Sequence, residues 1–185
     1  MISIIIPCKN EPDIVKMIVE TEREFPEAQI IVSSDRYGYG KGWALLNGLQ
    51  HATGETIVFI DGDLDIHPSE INKLLPRLSD SDIVVGRKKL PDNPSRKVIT
   101  FCSRLFIGVL FGLWIDTQTG VKVFKREFLP NWKDESFAFD IEILSKAKKL
   151  GARITEVPVN VTIAKSMPLR SITRFIWGAI KIKCQ

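Results

Sequence analysis

A chain of 185 residues with 44% hydrophobic and 26% charged side chains is long enough for one domain with a substantial core, and too apolar for a disordered tail. Three cysteines (Cys8, Cys102 and Cys184) are odd in number and lack metal-ligand spacing. With no signal-peptide pattern at the start, they read as reduced thiols of a cytoplasmic protein. The net charge of +4 hides a division: residues 1–85 carry seven Lys/Arg against fourteen Asp/Glu, a net of −7, and residues 86–185 carry nineteen against eight, a net of +11.

The β-branched run 2–6, closed by Pro7, predicts a strand buried on both faces. Asp13 is placed to cap a helix that runs to about Phe25, where Pro26 stops it. A second strand at 30–32 ends at Ser33-Ser34-Asp35. The loop Gly38-Tyr39-Gly40-Lys41-Gly42 leads to a helix over 43–51. Its glycines permit close backbone approach, and Lys41 is placed to meet phosphate; a glycine-rich turn without a ligand is the plain alternative. A buried strand at 56–60 runs into Asp61-Gly62-Asp63-Leu64-Asp65; Pro68 opens a helix, and 83–85 form a further strand. Strand and helix alternate, so the economical fold class is α/β with a mostly parallel central sheet flanked by helices.

The second half is less regular. A polar loop spans 88–97, and an apolar helix follows over 98–114. Residues 121–124 read as a strand, 139–150 as a helix closed by Gly151, and 154–161 as a strand in which Pro158 points to a sheet edge. A last amphipathic helix covers 172–182. The most apolar run, 105–115, has 11 residues, whereas spanning a bilayer takes about 20. It reads as a core helix, with partial insertion at a membrane surface as the second reading.

The acidic motif carries chemistry. Asp61, Asp63 and Asp65 follow a buried strand at the carboxyl end, where open α/β sheets place ligands. Residues two apart on extended chain point the same way, so Asp61 and Asp63 are expected to converge. Neighbouring carboxylates repel unless a cation neutralises them, and Mg2+ or Mn2+ is the natural partner. Arg87, Arg96 and Arg104 follow the strand at 83–85, and arginine binds phosphate as a bidentate fork.

Pro7-Cys8-Lys9-Asn10-Glu11, Gly40-Lys41-Gly42 and Asp61-Gly62-Asp63-Leu64-Asp65 together resemble family 2 glycosyltransferases of the GT-A fold. Gly86-Arg87, Arg96, the segment from Asp116 to Phe124, Phe137-Ala138-Phe139-Asp140-Ile141-Glu142 and Glu156-Val157-Pro158-Val159 follow the order of the polyprenyl-phosphate branch, which includes dolichyl-phosphate mannose and glucose synthases. The match covers nearly the whole chain. It implies a single catalytic domain over 1–185, with a nucleotide-sugar half at 1–86 and an acceptor half at 87–185.

In that resemblance Pro7, Asn10, Glu11, Asp35, Lys41, Asp61 and Gly62 bind the nucleotide sugar, and Asp61, Asp63 and Asp65 hold the metal. Arg87, Arg96, Thr100, Arg104 and Gln118 bind the acceptor, with Asp116 ordering its loop. Asp63, Asp140, Arg87 and Arg96 are the expected catalytic residues. Two departures stand out: Asp35 is followed almost at once by the glycine-rich loop, and the family arginine past Glu-Val-Pro is missing, leaving Lys165 or Arg170 as substitutes.

The implied function is inverting transfer of a hexose from UDP-glucose or GDP-mannose to a polyprenyl phosphate. Its expected setting is the cytoplasmic face of an anionic membrane, to which the chain is peripheral. A membrane-anchoring partner or a homo-oligomer stays open. The alternatives are a soluble or glycan acceptor with Asp140 as base, and a nucleotide-sugar-binding protein without turnover. Nucleic acid is not an expected partner: the basic residues interleave with aliphatic helices and no stacking-aromatic motif occurs.

Overall fold

The structure, a computed structural model, describes residues 1–89, 94–133, 138–162 and 177–183, the side chains of 94–96 excepted. The Arg96 side chain, Lys165, Arg170, Cys184 and the start of the last expected helix lie outside the described residues. In chain order the elements are β1 (Ile2–Cys8), α1 (Ile14–Glu24), β2 (Gln29–Ser34), α2 (Lys41–Leu49), β3 (Thr56–Ile60), α3 (Ile71–Leu74), β4 (Ile83–Lys88), α4 (Pro94–Phe111), β5 (Val121–Lys125), α5 (Phe139–Lys149) and β6 (Ile154–Val159). Residues 177–183 form a final helix, α6.

The six strands make one sheet in the order β2-β1-β3-β5-β4-β6. All neighbours are parallel except β5, which runs antiparallel to both β3 and β4. Because side chains alternate along a strand, the apolar runs feed two cores. Ile4, Ile6, Val58, Ile60 and Val84 pack on one face with Met17 of α1 and Ile71 and Leu74 of α3. Ile5, Ile57, Phe59, Ile83 and Val85 pack on the other with Leu45 of α2, Ile107 of α4 and Ile141 and Leu144 of α5.

Several local features depart from the sequence pattern for identifiable reasons. Asp13 stands at the start of α1 but its side chain makes no capping hydrogen bond. The helix expected after Pro68 is broken into a 3-10 turn (Pro68–Glu70), α3 and a second 3-10 turn (Leu75–Ser79); Pro76 has no amide to continue an α-helical ladder. The apolar helix α4 starts at Pro94, before the expected 98, since a proline fits a first turn whose amides lack partners. It ends ahead of Gly112, whose φ of 68° is the left-handed turn that terminates helices. Leu113 and Trp114 therefore lie past the helix. Pro158 does sit in an edge strand, β6.

Candidate active site

The carboxyl ends of β1, β2 and β3 meet at one edge of the sheet, with Pro7, Asp35 and Asp61 at or just past the three ends. Asp35 is buried; its amide donates to Cys8 O at 2.8 Å, and its carboxylate accepts the amides of Tyr39 (2.8 Å) and Gly40 (2.9 Å). Gly40 has φ 122°, a left-handed value that a residue with a Cβ rarely adopts. The aspartate and the glycine together shape the loop so that Lys41 opens α2 facing the acidic turn. Asp35 thus has a loop-building role that its position in the sequence did not reveal. Asn10, beyond β1, also takes a left-handed φ of 57°, which asparagine tolerates better than most residues. A Cβ on Gly62 would lie 3.1 Å from Pro7 O, so the acidic turn packs directly against the end of β1.

The Asp61 amide donates to Gly120 O at 3.0 Å, tying the acidic turn to the residue before β5. A Cβ on Gly120 would overlap the Asp61 carboxylate, so any larger residue there would push that carboxylate aside. Leu64 has φ 56° and Asp63 Oδ1 accepts the Asp65 amide at 3.2 Å: the chain turns here and is not extended. Asp65 is thereby carried round the turn from Asp63, and among the described residues no three His, Cys, Asp or Glu side chains gather as a metal-ligating group.

The turn nevertheless attracts a cation. Lys41 Nζ lies 2.5 Å from Asp61 Oδ1. Burial works to lower the Lys41 pKa, but the charges of Asp61, Asp140 and Asp63 outweigh it and hold the ammonium above its ordinary range. Hard all-oxygen donors fit Mg2+ or Mn2+, and Mg2+ is commonly held by one or two carboxylates together with waters and substrate phosphates. Asp61 and Asp63 are the residues that would hold it.

Beside this turn lies a buried ion pair that the sequence reading did not single out as such. Lys122 of β5 donates to Asp140 Oδ1 at 2.7 Å and to Thr119 O at 2.6 Å, and both charged side chains are buried. Burial pushes the Asp140 carboxyl up and the Lys122 ammonium down, while their mutual attraction opposes both shifts. Asp140, the base of the alternative reading with a soluble or glycan acceptor, is thus enclosed and held by Lys122. Glu142, two residues on and on a different side of α5, accepts the Lys133 amide at 3.1 Å on each oxygen and Lys146 Nζ at 2.5 Å. It braces the loop before α5.

The expected acceptor residues cluster around Asp116. Its Oδ2 accepts Arg104 Nη2 (3.0 Å) and the Lys88 amide (3.2 Å), its Oδ1 accepts the Gln118 amide (3.3 Å), and its own amide donates to Glu156. Among the described residues, the buried Arg104 Nε and Gln118 Nε2 donate to no protein acceptor. Arg87 is exposed at the end of β4, and Thr100 is half-buried on α4.

A mostly parallel sheet with a glycine-rich loop and an acidic turn at its carboxyl edge defines the GT-A class of glycosyltransferase fold. Solved structures agree: glucosyl-3-phosphoglycerate synthase from Mycobacterium tuberculosis, in complex with Mn2+, UDP-glucose and glycerol 3-phosphate, superposes with a TM-score of 0.78 at 19% identity, over 100% of this chain and 80% of that one. The same enzyme with Mg2+ and UDP gives a TM-score of 0.77 at 19% identity, over 100% of this chain and 79% of that one. Residues 13–98 match the model described as Glycosyl transferase family 2. Curated relatives include a dolichyl-phosphate beta-glucosyltransferase from Dictyostelium discoideum, 31% identical over 86% of this chain and 54% of its own length. Dolichyl-phosphate beta-glucosyltransferase ALG5A of Trichomonas vaginalis is 28% identical over 90% of this chain and 56% of its length. The chain spans about half the length of these curated relatives.

Proposed function

We propose that the chain transfers a glucosyl group, with inversion, from UDP-glucose to a polyprenyl phosphate of the dolichyl type at the cytoplasmic surface of a membrane. The observation that carries this reading is the backbone bond from Asp61 to Gly120, 3.0 Å, which fastens the acidic turn to the segment that bears Asp116 and Gln118. A donor diphosphate on the turn and an acceptor phosphate on the Asp116 loop are then neighbours. The names of the curated relatives support glucose and a dolichyl-type acceptor over the GDP-mannose alternative.

When bound, the divalent metal stabilises negative charge on the departing diphosphate. Lys41 adds its ammonium to the same charge, and the Lys122–Asp140 pair fixes the floor of the site. An acceptor phosphate monoester has a second pKa of about 6 and is largely dianionic near neutrality, so it needs positioning and charge screening without a general base. Arg104 and Gln118 supply donors for it and Arg87 an exposed guanidinium. The enclosure of Asp140 accords with a reaction that needs no base.

Among the described residues no helix is long and apolar enough to cross a membrane. Support for a surface location comes from α4, where Val98, Phe101, Leu105 and Val109 stand 62%, 66%, 43% and 70% exposed on one stripe. Exposed Lys89 and Lys97 lie near its start. The deciding experiment offers radiolabelled UDP-glucose and GDP-mannose to polyprenyl phosphate with and without Mg2+. The expected result is lipid-linked glucose that requires metal and drops at least about a hundredfold in Asp63→Ala. Transfer to a soluble acceptor without lipid phosphate would overturn the reading.

A further inference from the structure

We infer that Lys41 occupies the cation position of the acidic turn until a nucleoside diphosphate draws it away, so that divalent metal and nucleotide bind cooperatively. This rests on the donor reading above and goes further, assigning Lys41 a gating role toward the metal.

Both partners of the contact are held from behind. Lys41 is the first residue of α2, and the loop before it is fixed by the two bonds from Asp35 to the Tyr39 and Gly40 amides. Asp61 is anchored by its amide on Gly120 O, and its carboxylate abuts Gly120 closely enough to overlap an added Cβ. Its Oδ1 therefore faces Lys41 Nζ at 2.5 Å. What remains adjustable is the lysine side chain, an ammonium on a flexible four-carbon stem. It also lies 5.7 Å from the centre of the Phe139 ring, whose face can hold the ammonium off Asp61.

A divalent ion and an ammonium cannot share Asp61 Oδ1 at bonding distance without strong repulsion between like charges. In the absence of nucleotide the metal must displace Lys41 from Asp61 and leave its ammonium, with only Asp140 and Asp63 to offset it, beside another cation. A diphosphate changes this. It gives Lys41 a new anionic partner and gives the metal additional oxygens, and the two effects reinforce each other. Linkage then requires that metal tighten nucleotide by the same factor as nucleotide tightens metal.

The test is Mn2+ binding, followed by the loss of the free-ion electron paramagnetic resonance signal, with and without UDP. Wild type, Lys41→Gln and Lys41→Arg are compared, with melting curves to verify folding. In wild type UDP should tighten Mn2+ by about tenfold or more. Lys41→Gln should bind Mn2+ alone about tenfold more tightly than wild type and lose most of the coupling. Lys41→Arg, which retains the charge, should keep weak metal binding in the absence of UDP. The inference is overturned by a Lys41→Gln affinity no tighter than wild type with UDP coupling intact, or by Lys41→Arg behaving as Lys41→Gln. Wild type that binds no Mn2+ even with UDP would instead overturn the donor reading beneath it.

Discussion

A lysine and an aspartate buried side by side lose the hydration of two charges, and only each other's company makes that tolerable. Lys122 and Asp140 are such a pair, so removing one partner should cost more than removing both. Lys122→Met is expected to destabilise by about 3–5 kcal/mol, and Lys122→Met combined with Asp140→Leu by clearly less, as read from urea midpoints. Gly120→Ala should leave the fold nearly intact and depress transfer, because the added methyl displaces the Asp61 carboxylate.

Away from the site, Asp82 accepts Arg153 and Lys125 and the Arg153 amide, and these bonds hold its carboxyl well below the ordinary range. Its contribution to stability is present above the unfolded-state pKa and is lost as pH falls through the native one. Asp82→Asn should therefore cost about 2 kcal/mol near neutrality. The gap to wild type should narrow by about pH 3 in urea unfolding curves.

At the level of elements, α4 poses the main question of exposure. A core helix would hide its apolar stripe; this one buries Ile107 and leaves Phe101 and Val109 in solvent. Replacing Phe101 and Val109 together by serine should change folding stability by no more than about 0.5 kcal/mol per site. The same double variant should weaken sedimentation with anionic vesicles about tenfold or more, since each side chain has apolar area to bury in lipid.

The parallel strands were legible in the sequence because their β-branched runs are short, continuous and bounded by turn residues. The acidic turn was legible because three aspartates follow such a run. What could not be read locally was anything set by distant pairing. The antiparallel insertion of β5 joins residues some sixty positions apart, such as Ile60 and Val121. The Lys41–Asp61 and Lys122–Asp140 pairs likewise depend on which strands and helices become neighbours. The turn at Leu64 hides behind a residue type that rarely adopts positive φ.

On the scale of the molecule, the division of charge between the halves is not a division of the sheet. β5, from the basic half, sits between β3 of the acidic half and β4, which straddles the boundary, and carries Lys122 to Asp140 beside the acidic turn. The remaining basic residues include exposed Arg87, Lys89, Lys97 and Lys181. Each cation close to an anionic bilayer contributes about 1 kcal/mol and is screened by salt. Binding to phosphatidylserine vesicles should accordingly weaken as salt rises from about 0.05 to about 0.5 M, whereas binding through the α4 stripe alone would be insensitive to it.

The central position of β5 also sets the order in which the protein can be made. During synthesis β1, β2 and β3 can assemble as they emerge, but β3 keeps one open edge and β4 has no neighbour in the sheet until residues up to Lys125 leave the ribosome. Until then the nascent chain displays unpaired, strongly apolar strand edges, the kind of surface that recruits chaperones or other chains.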